Sequence, residues 1–283
     1  MLYRNLLIPL AVFAANAARA ENVPQPCADC GKSTAATAQC DAAITSATDD
    51  KAKAALLASR AYARDASLTQ DTVKASLDDL NQAVTLDPEN PDARHERAYL
   101  FNELGQWREA AADLDVQVKL LPNESAGYAE RAMSRFNLGD LQGAYDDRTT
   151  ELRLGPTPTA YLAHARAALW LGQFDVVAKD IATARDGAKG DKVVTAAADL
   201  IGAQLTLWRT TSPQGAAACN VKAGNLDYSD PALIGDCTRV FLDAAVATDK
   251  AAALSTRSLL WVTIASDVSS FLEDSRVASA LDP

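Results

Sequence analysis

The reading of this chain turns on residues Pro91–Glu124, PDARHERAYLFNELGQWREAAADLDVQVKLLPNE. The marks of this stretch recur on both sides at a fixed interval. Pro88, Pro122 and Pro156 stand 34 residues apart, Gly105 and Gly139 stand 34 apart, and Gly172 follows 33 later. A period in the thirties is the mark of an array of small supersecondary units, each of which must stack on its neighbours to bury an apolar face.

Positions within each repeat are counted so that Gly105, Gly139 and Gly172 fall at fifteen, between a first and a second helix. Glycine there takes up the left-handed conformation that ends one helix and allows a tight reversal. Asp87-Pro88, Leu121-Pro122 and Gly155-Pro156 end the second helices, because proline cannot donate into a continuing helix. Small residues recur at position eight (Ala98, Ala132, Ala165) and at position twenty (Ser76, Ala110, Ala144), where paired helices approach closely. Large ones surround them: Tyr128 and Tyr161 at four, Trp107, Leu141 and Phe174 at seventeen, Leu80, Leu114 and Ile181 at twenty-four.

This pattern resembles the tetratricopeptide repeat family, whose 34-residue unit is a helix-turn-helix. The resemblance covers about four repeats, Ala54–Pro88, Pro91–Pro122, Ser125–Pro156 and Pro158–Ala188, within an array spanning 51–188. It implies an all-α solenoid and a role in protein–protein interaction. The chain departs from the pattern where the first turn holds about three extra residues, where Arg148 replaces an apolar residue at twenty-four, and where Val177 replaces a small one at twenty.

In this family the first helices line a groove, at positions two, five, nine, twelve and thirteen. Carried over residue by residue, the resemblance implies groove positions at Tyr62, then Asp92, His95, Tyr99, Asn102 and Glu103, then Met133, Phe136 and Asn137, then Leu162, Arg166, Leu169 and Trp170. Such a groove runs from a polar end to an aromatic one suited to an extended or helical peptide. The competing reading is that the C-terminal helices fold back over the aromatic end.

Laying the repeats over one another shows a second pattern. Aspartate occupies position twenty-three throughout (Asp79, Asp113, Asp147, Asp180), and position seven holds Arg60, Arg97, Arg131 and His164. These are expected to pair across each hairpin as partly buried structural ion pairs. Two independent surface positions are the alternative.

Before the array, Arg4 precedes an apolar run from Leu6 to Ala14 and the small-residue pattern Ala18-Arg19-Ala20. This reads as a signal peptide (1–20) cut after Ala20, and implies a periplasmic or secreted chain with no membrane insertion after cleavage. The net charge of −10 becomes −12 once Arg4 and Arg19 leave with the leader, which argues against nucleic acid as a partner. Residues 21–50 form a cysteine-containing segment with a helix over Ala36–Ala47 as a possible cap.

Five cysteines, Cys27, Cys30, Cys40, Cys219 and Cys237, leave an odd one in a compartment that permits disulfides. Cys219 and Cys237 flank one loop and are expected to bond. Cys27-x-x-Cys30 has redox, haem and zinc readings, yet no histidine follows it and no second paired motif exists. A local staple or a link to Cys40 is preferred, with no metal and no cofactor expected.

Beyond the glycines of 186–192, residues 189–283 read as a C-terminal helical domain. It has a long helix over Val193–Arg209, another beginning at Ser229-Asp230-Pro231, and further helix from Lys250 to about Leu281. Only two histidines exist and no nucleophile–base set or phosphate loop is present, which points away from catalysis. The leading expectation is a non-enzymatic scaffold in the bacterial periplasm that takes a protein or peptide in its groove. Alternatives are a thiol-disulfide protein using Cys27 and Cys30, or a structural subunit self-associating through its C-terminal helices. The oligomeric state is left open.

Overall fold

The computed structural model describes residue 27 and residues 34–64, 69–210, 219, 231–263 and 268–282. The leader, Cys30 and the Ser229-Asp230 start signal lie outside the described residues. Within them the chain forms thirteen helices. Helix α1 is Thr34–Ser46. The four repeats are α2–α3 (Asp50–Arg64, Gln70–Leu86), α4–α5 (Pro91–Glu103, Trp107–Leu120), α6–α7 (Ser125–Asn137, Leu141–Leu154) and α8–α9 (Pro158–Trp170, Phe174–Gly187). The tail is α10 (Lys192–Arg209), α11 (Ala232–Asp243), α12 (Ala247–Thr263) and α13 (Val268–Leu281). None of the described helices is long and apolar enough to cross a membrane.

The turns are built as the glycine period requires. Gly105, Gly139 and Gly172 have φ of +74°, +79° and +69°. Each turn closes with the same two backbone bonds. The glycine N–H donates three residues back, and the following N–H donates five back, from Gln106 to Phe101, Asp140 to Arg135 and Gln173 to Ala168. That pair is the left-handed helix ending that only glycine enters without strain. First helices start with a capping side chain: Asn90 and Thr157 accept from the amides of Ala93 and Ala160, ahead of Pro91 and Pro158.

Two of the three departures from the repeat pattern have local solutions, and the extra residues of the first turn lie outside the described residues. Arg148 turns along its own helix to donate to Glu151 at 2.7 Å, while Val177 is fully buried.

The chain divides into two compact units between Ser134 and Arg135. In the first, Leu57, Leu80, Ala83 and Ala93 build a core to which Cys40 and Ile44 of α1 belong, and a Cys27–Cys40 disulfide anchors α1 at a Cα separation of 4.7 Å. In the second, a single core runs from Leu141 and Trp170 through Ile181, Ile201 and Trp208 to Ile234, Phe241, Leu254 and Val277. The expected boundary near 189 therefore does not separate two cores. The helices after it share their apolar interior with the last two repeats, because α8 is apolar on almost every side and must be covered.

Cys219 is bonded to Cys237 of α11, with Cα atoms 4.9 Å apart. Helix α11 starts at Ala232 with Pro231 as its N-cap and no side-chain capping bond. It meets the end of α10 so closely that a Cβ added at Gly235 would lie 1.5 Å from the carbonyl oxygen of Thr210. Backbone cannot yield as a side chain does. A Gly235→Ala variant is expected to lose at least about 1–3 kcal/mol of stability by urea unfolding. An unchanged midpoint would contradict this packing.

Candidate functional site

The carboxylates at position twenty-three are the fixed points of the hairpins. Arg60 meets Asp79 with two bonds, Nε to Oδ2 at 2.8 Å and Nη2 to Oδ1 at 2.6 Å. Arg97 meets Asp113 the same way, at 2.7 and 2.8 Å. His164 Nδ1 donates to Asp180 at 2.5 Å, with Tyr145 stacked on the ring and Thr149 bonded to the other nitrogen. All four aspartates are buried. The hydrogen bonds it donates to Asp79, opposed by burial, hold the Arg60 guanidinium protonated even beyond its usual range.

Other arginines also reach three of these carboxylates. Arg64 donates to Asp79 at 2.6 Å, Arg94 to Asp113 at 2.8 Å and Arg135 to Asp147 at 3.0 Å, while Arg131 donates to Asp115 at 2.8 Å. Arg64 and Arg135 both stand at position eleven. That recurrence was open to the same superposition that revealed position seven.

In the first unit the groove positions fall into two sets. Asp92 is exposed, and Tyr62, Tyr99, Glu103 and Met133 are half-buried. His95 and Asn102 are buried, so their expected place on an open surface is corrected. Both are used between helices. The Gln117 amide donates to His95 Nδ1 at 2.8 Å, which calls for the tautomer whose Nε2–H donates to Glu130 at 2.6 Å. Ser134 donates to Asn102 Oδ1 at 2.8 Å. The Gln117 carbonyl oxygen lies where a side chain on residue 127 would go, 2.5 Å from an added Cβ, and this explains the glycine there. Asn102 Nδ2, Gln117 Oε1 and Glu130 Oε2 are buried with no hydrogen-bond partner. The three atoms belong to a polar seam between α4, α5 and α6.

In the second unit the tail occupies the groove positions. Glu273 Oε1 of α13 accepts from Trp170 Nε1 at 3.1 Å and from Arg166 at 2.8 Å, and Arg276 donates to Asn137 at 2.8 Å. Leu162, Leu169 and Trp170 are buried, and Phe136 packs edge-on against Trp170 at 5.3 Å between centroids. The reading of Trp170 and its neighbours as exposed anchors for a partner is corrected: the chain's own helix takes that place. Behind it, Arg257 is fully buried. Its guanidinium makes two bonds to Asp274 (2.7 and 2.8 Å) and one to Thr238 (2.8 Å), and it lies 4.0 Å from the Trp208 ring, 5.1 Å from Trp170 and 5.6 Å from Phe241.

No protein-family model matches the chain, and no curated protein does. Among solved structures it is similar to a tetratricopeptide repeat protein from Parabacteroides merdae, 14% identical, over 97% of this chain and 92% of that one, with a TM-score of 0.53. The chain has the tetratricopeptide-repeat fold. A thermophilic TPR protein of Thermus thermophilus is also similar, 18% identical over 68% of this chain and 95% of its own, with a TM-score of 0.47.

Within this TPR fold, the arginine–aspartate pairs are stabilising only as pairs. Asp113 is buried beneath two guanidinium groups, and truncating it strands both. The Asp113→Ala variant should lose about 3–5 kcal/mol by denaturant unfolding. A double-mutant cycle with Arg97 should give a coupling above about 1 kcal/mol; a cycle without coupling would make the pairing incidental.

Proposed function

We propose that this chain is an exported, non-enzymatic interaction scaffold that takes a peptide or protein segment along the first-helix face of residues 50–134. The observation that carries the reading is the row of groove-position side chains that reach the surface on successive first helices of the first unit: Asp92 is exposed, and Tyr62, Tyr99, Glu103 and Met133 are half-buried. Two tyrosines, a methionine and two carboxylates on successive first helices suit a segment with apolar side chains and basic flanks.

Export rests on the leader pattern that ends at Ala20, and two disulfides suit an oxidising compartment. The Cys27–Cys40 bond also removes Cys27 from a Cys27–Cys30 redox pair. On this reading the mature chain begins at Glu21, which N-terminal sequencing of protein from the envelope fraction checks.

The test of the groove uses a partner captured from that fraction by the wild-type chain. A Tyr62→Ala/Tyr99→Ala/Met133→Ala variant with unchanged circular dichroism should bind it at least tenfold more weakly, since truncating anchors of this kind costs more than about 1 kcal/mol each. Unchanged affinity would overturn the groove assignment.

A further inference from the structure

Helix α10 carries two apolar stripes. Val194, Ala198, Ile201, Leu205 and Trp208 are buried in the core of the second unit. Val193, Ala196, Leu200, Ala203 and Leu207 form another stripe about 140° around the helix, at successive spacings of three and four residues. Val193 is 60% exposed and Leu200 is 69% exposed, Ala196 and Ala203 are exposed, and Leu207 is half-buried. A surface helix normally spends that side on polar residues. Here a seam of the kind that two-helix packing uses faces water.

We propose that this face is the contact between two copies of the chain, with α10 packed antiparallel on α10 of its partner about a two-fold axis through Leu200. The proposal is independent of the groove reading, and two observations select a second copy as the occupant. The stripe is self-complementary about Leu200. Large residues lie seven positions to either side, so Val193 meets Leu207 of the partner subunit, and alanines lie between them, so the helices approach closely. A two-fold contact requires such matching of a surface with itself.

Charge does not oppose the contact: 191–209 contains two acidic and two basic residues in a chain of net charge −10. Asp199, the one acidic group brought toward its own symmetry mate, is neutralised by Arg185 at 2.5 Å. A contact made chiefly by one helix from each copy falls below the standard interface area, which gives a dimer of about micromolar affinity or weaker.

Sedimentation of the mature chain across the micromolar range tests this. The wild-type mass should rise with concentration toward twice that of the monomer. Leu200→Glu and Leu200→Arg should each stay monomeric with unchanged circular dichroism, because a charge at the axis meets its own copy. An equimolar mixture of the two variants should recover the dimer, as only a contact that brings residue 200 to residue 200 can do. A wild-type chain monomeric throughout, a dimer that survives Leu200→Glu, or a mixture that stays monomeric would each overturn the proposal; the first would assign the face to a different partner.

Discussion

Arg257 is the side chain around which the second half of the molecule is arranged. A guanidinium removed wholly from water is tolerable only when its charge and its donors are all met. Here Asp274 takes two of its hydrogen bonds, Thr238 takes a third, and three aromatic rings present their faces to the cation. Those partners come from α8, α10, α11 and α13, so satisfying this one charge requires the last repeat and the tail to be assembled together. Trp170 serves both ends of the arrangement, with its face toward Arg257 and its Nε1 bonded to Glu273. What an isolated repeat would leave as an open aromatic groove is here an interior.

The repeats use the same physics with less burial. The last three hairpins close on glycine turns, and Asp79, Asp113, Asp147 and Asp180 on the second helices each accept from an arginine or a histidine of the first helix. Arginine suits this duty because its planar fork meets both carboxylate oxygens at once, as Arg60 and Arg97 do.

The array was legible in the sequence because repetition supplies its own control: Gly105 means little alone and much beside Gly139 and Gly172. Position seven and position twenty-three were read the same way, and Arg60–Asp79, Arg97–Asp113 and His164–Asp180 are bonded. The groove was less legible. A position number says which side of a first helix a residue occupies and nothing of what covers it. His95 and Asn102 are consumed by a polar seam with Gln117, Glu130 and Ser134, and Leu162, Leu169 and Trp170 by the tail. Arg257 and Asp274 gave no signal, since they lie outside the repeats and 17 residues apart on different helices.

If the last repeats and the tail are one cooperative structure joined through Arg257, they should open together. Hydrogen exchange on an Asp274→Ala variant measures this directly, because the substitution leaves a buried guanidinium without its carboxylate while the sequence of α8 is unchanged. The account predicts that the amides of α8 (158–170) lose protection in the same step as those of α11, α12 and α13. Retention of wild-type protection in α8 while those three helices exchange freely would contradict it.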